Sequence, residues 1–137
     1  MQIDVHPFDT LSDALSWAIA QIDNAAGQAC SRHLTITPGQ SAIYQAKNAD
    51  AAAFVKAGYP EADLASYAWI SAEVEATGKT AKVATDDIKA AADSWSKTIG
   101  PNIEKHRING KQKIRKLTTI AEVIASVRET EAKLHNS

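Results

Sequence analysis

Residues 11–29, LSDALSWAIAQIDNAAGQA, decide the fold because their apolar side chains recur at alternating steps of four and three residues. This heptad spacing is typical of a helix that packs lengthwise along another helix. The heptad seam so defined consists of Leu11, Leu15, Ala18, Ile22, Ala25 and Ala29. None of these side chains performs chemistry, so the pattern predicts a protein that works by assembling, with a protein interface along the seam.

Trp17 lies off the heptad seam, and two interpretations of it stay open. A tryptophan in this position packs on its own bundle or anchors an interface with another molecule. We include it among the candidate interface residues.

Length and composition predict a small unit with a thin core. At 137 residues the chain predicts one compact unit, in which residues 1–36 form an arm and heptad helix for docking and oligomerisation, and residues 37–137 form a helical body. The single cysteine, Cys30, excludes an intrachain disulfide. Neither a secretory leader nor an apolar stretch of membrane-spanning length is expected, so the sequence predicts a soluble protein made in the cytoplasm.

Start and stop signals predict an all-α fold, an elongated helical hairpin or bundle of four to six helices with an extended N-terminal arm at residues 1–9. Thr or Pro residues at helix starts and Gly residues at helix ends mark the boundaries. The predicted helices cover about residues 10–32, 37–57, 61–76, 80–99, 101–117 and 119–134, and residues 33–36 form an extended connector. At Gly100-Pro101 the sequence leaves open one kinked helix or two helices nearly in line.

Two short motifs resemble ligand sites but fail their spacing tests. Gly78-Lys79-Thr80 copies the end of a phosphate-binding loop, yet Glu73 stands where that motif needs its first glycine, so a helix stop and restart is the better interpretation. Cys30 and His33 are three residues apart, but no second pair completes a metal shell. The sequence predicts no catalytic residue, no metal and no cofactor.

One cluster of charge remains as a candidate partner site. It is the basic segment, residues 105–116, whose cations are Lys105, Arg107, Lys111, Lys113, Arg115 and Lys116. Aromatic residues of the kind that interleave nucleic-acid sites are absent there, so a solvated face or an acidic protein partner is favoured over nucleic acid. The chain up to Thr80 has nine acidic and four basic residues, and the rest has seven and eleven, which suggests head-to-tail attraction between copies.

Turn residues and alanine-rich helices between about residues 33 and 125 resemble a known group. The shared pattern includes residues 36–40 (ITPGQ), 44–47 (YQAK), 58–60 (GYP), 73–80 (EVEATGKT), Trp95, 103–104 (IE) and 118–123 (TTIAEV). It is similar to small alanine-rich helical proteins encoded in the tail and tail-fibre regions of bacteriophages and prophages. The resemblance implies a virion-associated, non-enzymatic role with no catalytic residues to carry over.

These observations lead to one expected function and two alternatives. We expect a virion component made in the host cytoplasm, an adaptor subunit of the tail, baseplate or tail fibres that binds copies of itself and neighbouring tail proteins through helices. The first alternative is a tail-fibre assembly chaperone that does not stay in the particle. The second is a nucleic-acid-binding module that uses the basic segment.

Overall fold

The structure, a computed structural model, describes residues 8–34 and 40–137. Every regular element in those residues is helical and none is a strand, so the predicted all-α fold class is confirmed. The α-helices are α1 (Leu11–His33), α2 (Gln40–Lys56), α3 (Ala68–Thr77), α4 (Ala81–Ser94), α5 (Gly100–Ile114) and α6 (Ile120–His135). A 3-10 helix spans Glu61–Ser66, and a π-helix spans Trp95–Ile99.

The helices form two compact units whose division differs from the predicted one after residue 36. The terminal unit contains α1, α5 and α6, and the central unit contains α2, α3 and α4. The boundaries fall near residues 34 and 98, so the first unit is assembled from both ends of the chain. The physical reason is that the apolar stripe of α1 is buried against α5 and α6, so α1 belongs to a packed core and is not a separate docking module.

The terminal unit is a three-helix arrangement with a core of small and branched side chains. From α1 it buries Ala14, Ala18, Ile22, Ala26 and Ala29. Ile103 and Ile114 of α5 and the α6 side chains Val123, Val127 and Leu134 complete the core. Small side chains allow helix backbones to approach closely, which strengthens dispersion contacts because these depend on distance.

The C-terminal end of α6 is held by α1. The Arg32 guanidinium donates to the Leu134 carbonyl at 2.6 Å, and the His33 ring lies 3.2 Å from the Ser137 carbonyl. The first bond adds a side-chain donor to a carbonyl in the last turn of α6, and the second contact involves the residue two positions beyond that helix.

The central unit has its own core around Phe54. Ala51, Ile70 and Ala81 are buried with it, and partly buried side chains surround them. The rings of Tyr59 and Tyr67 meet Phe54 edge-on, with centroids 5.9 Å and 5.0 Å away. This edge-to-face geometry is the one that aromatic pairs prefer.

Most predicted helix boundaries are confirmed by the local chemistry that predicted them. The hydroxyls of Thr10, Thr80 and Thr119 accept the amide N–H groups of the third residue beyond them, as N-caps do. Gly58 and Gly78 take left-handed φ angles of 84° and 72° where α2 and α3 end. The predicted cap at Thr37 and residues 1–7 of the predicted arm lie outside the described residues.

One boundary differs from the sequence prediction, and one that the sequence left open is decided. Residues 61–76 do not form one helix, because Asp63 and Tyr67 have non-helical backbone angles, and α3 begins only at Ala68. At Gly100-Pro101, where one kinked helix or two helices nearly in line were expected, the backbone stays helical, with Ile99 at φ −68° and ψ −55°. The π-helix immediately before Pro101 lies where the proline removes an amide donor from the helical ladder.

Residues 33–36, predicted as a connector, are described only in part. His33 is still helical and Leu34 is extended. Among the described residues, no helix combines the length and the apolar character that crossing a membrane requires.

Candidate interaction surface

The heptad seam is used largely inside the chain. Ala18, Ile22 and Ala29 are fully buried in the terminal unit, so in this fold they are not available to a partner. Leu11, Leu15 and Ala25 remain half-buried at the edges of the packed stripe. The buried stripe of α1 consists of Ala14, Ala18, Ile22, Ala26 and Ala29, so three of the six seam residues are buried within the chain and two residues outside the seam are buried with them.

Trp17 lies beside the packed face and belongs to a surface cluster. Its ring is tilted against Phe8, with centroids 5.0 Å apart, and the Arg128 guanidinium lies 5.5 Å from its centroid. Arg128 also contacts Glu131 at 3.2 Å. The half-buried indole thus joins α1 to α6 and leaves part of its area open to solvent.

The basic segment of α5 is divided by the fold into an inward and an outward part. Arg107 and Lys111 face α1, where both contact the Asp23 carboxylate, at 3.0 Å and 2.9 Å. Glu104 also contacts Arg107 at 2.7 Å. Lys113 lies 3.2 Å from Glu129 on α6, which Lys133 approaches as well at 3.4 Å.

The ion pairs of the inward part perturb the groups that form them. The hydrogen bond from Lys111 lowers the pKa of Asp23, with Arg107 adding to the effect. Hydrogen bonds to Glu104 and Asp23 raise the pKa of Arg107 above its ordinary value, which already keeps the guanidinium charged. Arg107 and Lys111 therefore link α5 to α1, whereas the ion pair of Lys113 with Glu129 lies at the surface with both side chains about half exposed.

The outward part of the basic segment lies opposite the core. On α5 the buried residues Ile103, Gly110 and Ile114 define one side. At 100° per residue the opposite side is exposed along its length, and we call it the outward face: Lys105, Ile108, Gln112, Arg115 and Lys116. Its three cations form no ion pair or hydrogen bond within the described part of the chain.

Folding also removes most of the charge separation expected from the sequence. The sequence ranges of the terminal unit contain nine basic and eight acidic residues, and those of the central unit contain six and eight. The acidic N-terminal part and the basic C-terminal part neutralise each other because α1 packs with α5 and α6. The net charge of each unit is small and therefore gives little support to head-to-tail attraction between copies.

The two motifs that failed their spacing tests have structural roles. Gly78 ends α3, Thr80 caps α4, and Lys79 pairs with Asp87 at 2.8 Å, which is the stop and restart that the sequence favoured. Cys30 is half-buried in α1, and His33 contacts the C-terminal end of α6. Within residues 8–34 and 40–137, no group of three or more His, Cys, Asp or Glu side chains could hold a metal ion.

Sequence reasoning missed a polar cluster in the central unit. The Tyr59 hydroxyl donates to Asp86 at 2.6 Å, and Lys82 contacts the same carboxylate while lying 4.8 Å from the Tyr59 ring centroid. The hydrogen bond to Asp86 raises the pKa of Tyr59. Tyr59 also has a left-handed φ of 57°, which is rare for a bulky residue, and no sequence signal besides the neighbouring glycine announces it.

Comparisons with known proteins give no relative for this chain. No family model matches the sequence, and searches of curated proteins and of solved structures find no match.

Proposed function

We propose that this chain is a non-enzymatic subunit of a bacteriophage tail, an adaptor in the baseplate or tail-fibre region that acts by binding neighbouring proteins. The assignment to the tail is supported by the resemblance of residues 33–125 to tail-region proteins. It also places the protein in the virion after synthesis in the host cytoplasm.

The single observation that carries the assembly role is the outward face of α5. There, three cations without a partner in the described chain lie on the same face as the exposed Ile108, whereas the neighbouring Arg107, Lys111 and Lys113 are all paired. We infer that this combination of exposed apolar area and unpaired charge on one helix face is the surface that the protein offers to an external partner.

Contacts between copies are part of the same proposal. The half-buried residues Leu11, Leu15, Trp17 and Ala25 are the members of the predicted interface that remain accessible. They would supply a small isologous contact in a symmetric assembly.

Quantitative mass spectrometry of purified virions tests the proposal. A tail subunit is expected at a fixed stoichiometry with the baseplate or fibre proteins, and it should stay with the tails after the heads are removed. Its absence from particles, combined with binding to unassembled fibre protein, would instead identify an assembly chaperone. Release together with the packaged DNA would identify the nucleic-acid-binding alternative.

A further inference from the structure

We propose that the outward face of α5 is the docking site for an acidic α-helix of a neighbouring protein. The inference rests on the assembly role proposed above and names the chemistry of the partner. It is supported by the spacing of the exposed residues, by the state of their charges and by the exposed apolar side chain among them.

The outward face forms a single row that a helical occupant can follow. Lys105, Ile108, Gln112 and Arg115 follow one another at steps of three, four and three residues, so they are neighbours along one side of the helix, with Ile108 as the apolar member. Between Lys105 and Arg115 the stripe is about 15 Å long at the usual helical rise. Lys116, which follows α5, extends its charged end.

The charges require that this helix be acidic. Glu104 is the only carboxylate of α5, and Arg107 already binds it through two nitrogen atoms. Asp23 and Glu129 are likewise engaged with the inward cations. Covering Lys105, Arg115 and Lys116 with an apolar or basic surface would strip water from three unpaired charges, so the partner must bring carboxylates.

The exposed apolar side chain favours protein over nucleic acid. Ile108 is 45% exposed near the middle of the stripe, where a helix seam places its apolar contact and where a phosphate backbone gains nothing. The residues of α5 include no Phe, Tyr or Trp on which a base could stack. Pairing of the inward cations also weakens the field that would attract a polyanion.

Titration of the isotope-labelled full chain, followed by the amide chemical shifts, tests the inference. The probe is a synthetic amphipathic helix of about three heptads with a leucine seam flanked by glutamates. The same peptide with glutamine in place of glutamate is the control probe, and a short duplex DNA is the competing one. At moderate salt we expect the acidic peptide to shift the amides of residues 105–116, and the glutamine peptide and the DNA to bind more weakly.

Two variants of the outward face separate helix docking from general attraction to negative charge. The triple variant Lys105→Gln, Arg115→Gln and Lys116→Gln should raise the Kd for the acidic peptide about tenfold, given the usual contribution of exposed ion pairs. Ile108→Ser should raise it about fivefold, because its exposed area is then no longer buried on binding. All four side chains are exposed, so the fold is expected to tolerate both variants.

A control that is matched in net charge comes from the central unit. The variant Lys56→Gln, Lys89→Gln and Lys97→Gln removes the same charge from another part of the chain. Lys56 and Lys89 form no ion pair among the described residues, and Lys97 lies 3.6 Å from Asp93. This variant should leave the peptide Kd unchanged. Equal weakening by both triple variants would overturn the inference, as would a Kd that Ile108→Ser does not change or tighter binding of the DNA to the same amides. Because the peptide assay uses no virion, the two proposals can fail separately. A negative peptide result does not bear on the tail assignment, and absence of the protein from virions does not bear on helix docking.

Discussion

Gly110 sets how closely α5 can approach α6. A β-carbon at this position would lie 2.5 Å from Cγ2 and 2.8 Å from Oγ1 of Thr130, a short branched side chain with little room to move. We therefore expect Gly110→Ala to destabilise the protein by about 1–3 kcal/mol through overpacking, although alanine is the better helix former. Chemical denaturation monitored by circular dichroism measures the change.

The chain provides a matched control in α1. Nothing lies within 4 Å of a β-carbon at Gly27, so Gly27→Ala should stabilise the protein by about 0.5–1 kcal/mol through helix propensity alone. Adding Thr130→Ala to Gly110→Ala removes the two nearest atoms, leaves Cβ of residue 130 at 3.2 Å and should recover part of the loss. If Gly110→Ala is as stable as the original chain, the close approach of the two helices is contradicted.

Asp23 links α1 to α5 in a way that depends on pH. Hydrogen bonds from Lys111 and Arg107 lower the pKa of Asp23 in the folded protein, so the unfolded chain takes up this proton first as the pH falls. The contribution of the Asp23 ion pairs to the free energy of unfolding is complete above the unfolded pKa of about 3.9 and disappears as the pH falls through the lower folded value. Because Asp23 is partly exposed, we expect this contribution to be about 0.5–1 kcal/mol.

Asp23→Asn should therefore cost stability at neutral pH and almost none at pH values below the folded pKa. The measurement is a series of urea denaturation curves between neutral and strongly acidic pH. Glu75→Gln serves as the control, since Glu75 is exposed in α3 and forms no ion pair among the described residues. An equal loss at every pH would show that the side chain acts by packing and not by its charge.

The start of α3 depends on a residue of α2. The Asp50 carboxylate accepts the N–H groups of Trp69 and Ile70, at 2.9 Å and 3.0 Å, and so replaces the cap that α3 lacks in its own sequence. We expect Asp50→Ala to cost about 1–2 kcal/mol, because two backbone donors at a helix N-terminus lose their acceptor. Thermal unfolding measures the loss.

Asp50→Asn keeps an oxygen acceptor and should recover most of the stability that Asp50→Ala loses. If both substitutions cost the same, the negative charge at the helix N-terminus and not the hydrogen bond is responsible. If neither has an effect, α3 is held by the burial of Ile70 alone.

The sequence predicts features that depend on local contacts, but it does not predict those that depend on contacts between distant residues. Thr10, Thr80, Thr119 and the turn glycines act on backbone groups within three or four residues, so their effects can be predicted from the neighbouring sequence. Asp50 acts across 19 residues on the α3 backbone, and no spacing rule connects the two. The late start of α3 was missed for that reason.

At the scale of the whole molecule, the same limit applies to the candidate site. A heptad stripe predicts that a helix packs lengthwise but not on which chain, so the seam of α1 was assigned to copies of the protein while Ile22 is buried against α5 and α6. Likewise, the sequence located the basic segment, but only the packing of Asp23 and Glu129 separates its paired cations from the outward face.

Ile22→Ala distinguishes the two assignments of the seam. If Ile22 packs within the chain, the cavity should cost about 2–5 kcal/mol and lower the Tm by the same amount at every protein concentration. If it packs between copies, higher concentration should recover the lost stability by mass action.

Leu15→Ala is the comparison, since Leu15 is only half-buried on the same helix. Calorimetry across a wide concentration range measures both. We expect a loss of Tm for Ile22→Ala that does not depend on concentration, and a smaller loss for Leu15→Ala. If the loss for Ile22→Ala instead shrinks as the protein concentration rises, Ile22 packs between copies of the chain.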